Sequence, residues 1–216
     1  MTIDPGSAAL QNLRDPMVRE LATSGVARRY PAGAHIIKEG DKGDTLFVIL
    51  SGKVRVYVSD RDGREMVLDF HGPGDYIGEM ALDGKPRSAS VIAVEPTTCS
   101  VVTRETLRSA IAANPDVAMS LISTLIERAR IATDNVKNLA LMDVYGRVAR
   151  LLLSIAEEQP DGKLVVPERM TQQDIAERVG ASRDMVSRIF KDLTAGGYVT
   201  VADRRITIHR RPPPRW

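Results

Sequence analysis

The hydrophobic period of this chain changes at Thr103, and the change separates two kinds of structure. From Val26 to Thr103, apolar and β-branched residues come in short runs parted by turn residues, as in an all-β sandwich or barrel. The runs read as strands are Ala34–Lys38, Thr45–Leu50, Lys53–Ser59, Arg64–Phe70, Ser88–Val94 and Thr97–Thr103. Asp41–Asp44, Ser51-Gly52, Asp60–Gly63 and Gly72–Asp75 supply the turns. After Thr103 the spacing becomes helical. A short helix over 104–113 stops at Asn114-Pro115, because a residue before proline avoids the α region.

Beyond that stop, Met119, Ile122, Ile126, Ala129, Thr133, Val136 and Ala140 follow one another at spacings of three and four. That is the repeat of a coiled-coil seam. A helix of about 24 residues would run about 36 Å, long enough to be both spacer and dimer interface. Met119, Ile122, Ile126, Ala129 and Val136 are the expected interface residues. Leu121 and Leu125 form a second apolar edge that could pack on the helix's own domain. Another helix should run from Asp143 to about Glu157, closed by the loop Gln159-Pro160-Asp161-Gly162.

The last stretch has the parts of a winged helix-turn-helix: Thr171–Val179, a break at Gly180, Ser182–Leu193, Gly196-Gly197, and two β-like pieces, Tyr198–Val201 and Arg205–His209. Thr171 is an N-cap with Asp174 three residues on, and Ser182 caps the second helix. Val186 and Ile189 point that helix inward. Arg183, Asp184, Ser187 and Arg188 then lie toward its outer, N-terminal half, where side chains reach base edges in a major groove. Thr171 and Ser182 would touch phosphates. Charge agrees with this placement: Arg169–Trp216 holds ten Arg and Lys against five Asp and Glu, a local +5, so residues 1–168 carry −3 of the total +2.

Other chemistries find little support. Cys99, the single cysteine, sits in a β-branched run and reads as a buried core thiol. His35, His71 and His209 share no metal-ligand spacing, and no catalytic set or phosphate loop appears. Met1–Gln11 lacks a targeting pattern and no apolar run has the length of a membrane span, so a cytoplasmic protein without a membrane partner is expected.

From about Arg28 to His209 the chain resembles the cyclic-AMP receptor protein, or Crp/Fnr, family. The resemblance rests on Asn138–Ala149, on Val179–Ile189, and on Gly74-Asp-Tyr-Ile-Gly-Glu-Met-Ala-Leu followed by Arg87-Ser-Ala, which is similar to the family's phosphate-binding cassette. The cassette chemistry also stands on its own. Gly78 lets backbone approach a phosphate, a turn over Gly78–Leu82 presents N–H groups to an anion, Arg87 offers a planar fork, Ser88 adds a hydroxyl, and Glu79 can accept a ribose 2′-hydroxyl. The alternative is that Glu79 and Arg87 merely pair with each other.

The resemblance implies two consecutive hydroxyl residues on the long helix against adenine. Thr133 matches and Asp134, an acceptor only, does not. Cyclic AMP or a close relative is the favoured regulatory ligand, with cyclic di-GMP the alternative, since a carboxylate suits guanine's N1–H and N2–H₂ donors. Gas-sensing members hold haem near the position of His71, but no partner cysteine stands nearby, so no cofactor is expected.

The expected fold is α+β: a cyclic-nucleotide-binding β-roll (a double-stranded β-helix, or jelly roll) over 1–113, a dimerisation helix over 114–140, and a winged helix-turn-helix over 141–216. The expected function is a non-enzymatic, homodimeric transcription regulator on a near-palindromic operator, its reading helices about 34 Å apart, with RNA polymerase as a further partner. The rival is a cyclic-nucleotide-sensing adaptor acting on a partner protein, which would not need Arg183, Arg188 or the basic Arg204-Arg205.

Overall fold

The computed structural model describes residues 8–160 and 162–213. The reading of residues 1–7 and of Asp161 in the Gln159–Gly162 loop lies outside them. The chain forms two compact units that divide between Arg128 and Ala129.

The first unit opens with α1 (Ala8–Gln11) and α2 (Pro16–Thr23). Asp15 caps α2, accepting from Met17 N at 2.7 Å, with Pro16 in the first turn, where its missing N–H costs nothing. Eight strands follow: β1 (Val26–Tyr30), β2 (His35–Ile37), β3 (Thr45–Ser51), β4 (Val54–Ser59), β5 (Glu65–His71), β6 (Tyr76–Ile77), β7 (Ser90–Ala93) and β8 (Thr97–Thr103). They make two antiparallel four-stranded sheets, ordered β1-β8-β3-β6 and β2-β7-β4-β5.

The two sheets face each other across one core, to which Tyr30, Ile37, Phe47, Ile49, Val54, Ile77, Val91, Ala93 and Cys99 contribute. Strand β3 explains why its sequence is unbroken in hydrophobicity. Phe47 and Ile49 point to the other sheet, while Leu46, Val48 and Leu50 point to a second core shared with Val102 of β8 and with Leu10, Leu13, Leu21, Leu107 and Val117 of the flanking segments. Alternation places every second residue on one face, and both faces of this strand are covered. Cys99 is fully buried, and burial pushes its thiol up to about 12, so the thiol is inert as expected.

Helix α3 (Arg104–Ala113) is capped by Thr103, which accepts from Thr106 N at 3.1 Å, and ends at Asn114 before Pro115. Helix α4 (Asp116–Leu141) is one continuous helix of 26 residues. Of its second apolar edge, Leu121 packs on the first unit's core, but Leu125 is 41% exposed. No single helix among the described residues is long and apolar enough to cross a membrane.

The second unit contains α5 (Val144–Ile155), α6 (Gln172–Val179), α7 (Arg183–Ala195) and a sheet ordered β11-β12-β10-β9, built from β9 (Glu157–Glu158), β10 (Leu164–Val165), β11 (Val199–Ala202) and β12 (Arg205–Ile208). A single core gathers Leu152, Val166, Ile175, Val179, Val186, Phe190, Leu193, Val199, Ile206 and Ile208, among others. The Gln159–Gly162 loop, expected to close the preceding helix, instead turns β9 into β10: Gln159 N donates to Lys163 O at 2.8 Å. Helix α5 has already ended, with Ala156 extended.

Candidate functional site

Arg87 organises the first site. The strand expected from Ser88 begins only at Ser90, which leaves Arg87 and Ser88 in the loop before it. There the Arg87 backbone is clamped to the β2–β3 loop, N–H to Asp41 O and carbonyl from Gly40 N, both at 2.9 Å. The side chain is 7% exposed. Nη1 donates to Thr45 O at 2.9 Å and Gly78 O at 2.7 Å, and Nη2 donates to Thr45 Oγ1 at 2.9 Å. All three acceptors are uncharged, and among the described residues no carboxylate lies within ion-pair distance. Burial lowers the guanidinium's pKa from its ordinary value, opposed by the charges of Asp44 and Glu79. Nε–H and the second Nη2–H, which together form the side-on fork that matches two oxygens of an anion, have no protein acceptor among the described residues.

Gly78 is required on two counts. Its φ of +86° is left-handed, and a Cβ there would stand 2.7 Å from Arg87 Nη1 and 2.9 Å from Thr45 O. The segment Glu79–Asp83 then turns as a 3₁₀ helix, close to the expected turn. Ser88 is exposed and its hydroxyl lies 3.2 Å from Met80 Sδ. Upstream, the Gly72–Asp75 turn is fixed by Gly72 N to Asp75 Oδ2 at 2.9 Å, with His71 between Asp69 and Asp75 at 3.7 and 3.5 Å.

Glu79 does not pair with Arg87, so that alternative is corrected. Its carboxylate meets Arg128 of α4 at 3.0 Å, and the same guanidinium donates to Tyr76 O at 2.6 Å and stacks over the Tyr76 ring at 4.8 Å. Tyr76 Oη donates to Leu121 O at 3.0 Å. Arg128 and Thr45 are the site residues that sequence reasoning missed. Thr45 is separated from Arg87 by 42 residues, and no local pattern marks such a contact.

Thr133 and Asp134 lie in the second unit on exposed turns of α4, and Thr133 Oγ1 donates back to Ala129 O at 2.9 Å. Along the same helix Met119, Ile122 and Ile126 are 59%, 45% and 51% exposed, Val136 is 66% exposed, and Ala129 is exposed too.

The second site is the face of α7. Thr171 and Asp174 form a reciprocal capping box at the start of α6. Gly180, at φ +62°, ends α6 in a left-handed residue and turns the chain into Ser182, which caps α7 by accepting from Met185 N at 3.2 Å. Arg147 of α5 braces that turn by donating to Val179 O at 2.8 Å. Val186, Ile189, Phe190 and Leu193 are buried, whereas Arg183, Asp184, Ser187 and Arg188 are all exposed. Lys191, also exposed and one turn beyond Ser187, extends this face. Strands β11 and β12 are joined by Asp203-Arg204, both at positive φ, a type I′ hairpin turn that projects Arg204 and Arg205 as a basic wing.

Comparison with known proteins identifies the regions that carry the two candidate sites. Residues 27–114 match the cyclic nucleotide-binding domain family, and residues 146–212 match the Crp-like helix-turn-helix domain. The cAMP-activated global transcriptional regulator CRP of Salmonella typhimurium is 33% identical over 202 residues, covering 90% of this chain and 95% of that protein. The CRP-like cAMP-activated global transcriptional regulator of Mycobacterium tuberculosis is 36% identical over 183 residues, covering 83% and 82%. Among solved structures, the c-di-GMP responsive global regulator CLP of Xanthomonas campestris superposes with a TM-score of 0.77 at 25% identity, over 90% of this chain and 98% of that one. None of these matches points to an adaptor. With a relative of this identity spanning nearly its whole length, the chain belongs to the Crp/Fnr family and is a ligand-regulated, DNA-binding transcription regulator.

Proposed function

We propose that this regulator senses a cyclic mononucleotide, cyclic AMP or a close relative, in the cassette formed by Gly78, Glu79, Arg87 and Ser88. The observation that carries this reading is the buried Arg87, whose free fork faces no protein anion among the described residues. A buried cation held by neutral oxygens and the face of the Phe47 ring, with no anion beside it, is costly, and a cyclic phosphate completes it. Glu79 is the ribose acceptor, and Arg128 holds its carboxylate in place. Thr133 reads the base. Residues 1–113 are the sensor, 114–140 the dimer helix and 141–216 the DNA reader, acting in the cytoplasm on a near-palindromic operator together with RNA polymerase. The names of the cAMP-activated relatives favour the mononucleotide. The CLP structure and the carboxylate of Asp134 keep cyclic di-GMP as the second reading.

Calorimetry of the purified protein with cyclic AMP, cyclic GMP and cyclic di-GMP tests it. Cyclic AMP should bind the wild type, and Asp134→Ser should change its affinity little. If Asp134 instead reads guanine, wild type prefers cyclic di-GMP and the substitution weakens it. No binding of any of the three at millimolar concentration defeats both readings.

On the DNA side we propose that Arg183, Asp184, Ser187 and Arg188 read bases, and that Thr171 and Ser182 set register on phosphates. Arg183→Ala should then cost about 1–3 kcal/mol on the operator and much less on random DNA. Arg204→Ala, in the wing, should weaken both evenly. Gel shifts on the two DNAs measure the difference, and equal losses from both variants would mean that α7 is not the reading helix.

A further inference from the structure

Helix α7 ends in a closed motif. Tyr198 N donates to Leu193 O at 2.9 Å and Gly197 N to Thr194 O at 3.0 Å, with Gly197 left-handed at φ +67°. This is a Schellman turn, in which the residue two past the cap folds back on the last turn of the helix. It satisfies the carbonyls of Leu193 and Thr194, and the Gly196 carbonyl takes no part in either bond.

Arg210, beyond the end of β12, takes that carbonyl. Antiparallel pairing sets Val199 opposite Ile208, and His209 N donates to Tyr198 O at 2.9 Å, so the next residue arrives beside the turn. There Arg210 Nη2 donates to Gly196 O at 2.6 Å, and its guanidinium lies over the Tyr198 ring at 4.9 Å. A Cβ on Gly197 would stand 3.4 Å from the same Nη2, so the group sits directly against the turn. A cation here also meets the negative end of the helix dipole. The wing strands also pack against α7 through the core, where Val199, Ile206 and Ile208 meet Phe190 and Leu193, and Arg210 adds a polar tie at the helix end.

We propose that Arg210 is a positioning residue for DNA reading: a clasp that fixes the C-terminal end of α7 to the last residues of the wing, so that helix and wing meet the duplex in one fixed relation. Its guanidinium is engaged by Gly196 and Tyr198, and its contribution to affinity comes through them and not through a phosphate. The proposal rests on α7 as the reading helix, and Arg183→Ala measured beside it tests that premise separately.

The experiment uses the full chain with operator and random duplexes over a range of salt concentrations. Arg210→Gln should lower operator affinity about 5- to 10-fold, the loss of a charge-assisted hydrogen bond, with little effect on random DNA. The slope of log affinity against log salt should stay the same. Amide exchange at Gly197 and Tyr198 should accelerate, while cyclic-nucleotide affinity is unchanged. Tyr198→Leu removes the stacking partner but keeps every charge, and it should lose operator affinity similarly, with the double variant no worse than either single one. A salt slope reduced by about one charge, or losses that add in the double variant, would make Arg210 a phosphate contact and overturn the proposal. Unchanged operator affinity in Arg210→Gln, with Arg183→Ala still impaired, would overturn it equally.

Discussion

Replacing Arg87 by leucine is expected to abolish cyclic-nucleotide binding, a loss of at least about 100-fold for any base, because the fork toward the phosphate disappears. The protein itself should also weaken. Thr45 O, Thr45 Oγ1 and Gly78 O lose their donor in a half-buried place, and an orphaned acceptor costs up to about 1–3 kcal/mol where water cannot reach it. Arg87→Lys separates the two effects. An ammonium keeps the charge and can satisfy some of these oxygens, but it cannot present two coplanar donors, so stability should largely return while ligand affinity remains low. Calorimetry with cyclic AMP and thermal unfolding of both variants measure the two quantities. Arg87→Leu protein that bound cyclic AMP as the wild type does would remove the cassette from the ligand's path.

The second large effect concerns assembly. Ile126 and Val136 are 51% and 66% exposed in the single chain, so exchanging both for glutamate should leave each subunit folded. In a dimer packed along this seam the same change buries four carboxylates without partners. Each unpaired buried charge costs several kcal/mol, and the dimerisation constant should fall by at least about a thousandfold. Sedimentation equilibrium should find monomer at concentrations where the wild type is dimeric, and operator binding should drop with it because two half-sites are no longer engaged together. A variant that stayed dimeric would place the interface on another face of the helix.

The parts of this molecule that could be read from sequence are those whose pattern is local. The unbroken run of β3, the alternation of β8, the proline stop after α3, and the Thr171, Gly180 and Ser182 punctuation of the helix-turn-helix each lie within one element, and the structure sets these elements within two residues of where the pattern puts them. Elements without such a pattern were not anticipated. Strand β1 carries two exposed arginines in five residues and shows no clean alternation, β6 is two residues long, and α2 announces itself only through Asp15-Pro16.

The site divides in the same way. Gly78, Glu79, Arg87 and Ser88 form a spaced motif in the sequence, and in the structure Gly78 O accepts from Arg87 Nη1. What holds the motif comes from far along the chain: Thr45 braces Arg87, and Arg128 engages Glu79 across 49 residues. Partner choice of this kind is set by topology, and a single sequence carries no trace of it. The alternative in which Glu79 pairs with Arg87 fails, because Arg128 takes that carboxylate instead.

On helix α7, the residues that build the core and the residues proposed to read DNA are different sets. Val186, Ile189, Phe190 and Leu193 anchor the helix, while Arg183, Asp184, Ser187, Arg188 and Lys191 contribute nothing to that core. Substitutions on the outer set cost little in folding, since exposed changes away from caps usually stay within about 0.5 kcal/mol. Sequence preference on DNA is therefore free to drift from one descendant to another while the scaffold is preserved. A regulator built this way can acquire new target genes by exchanging a handful of surface side chains and repacking none of its interior.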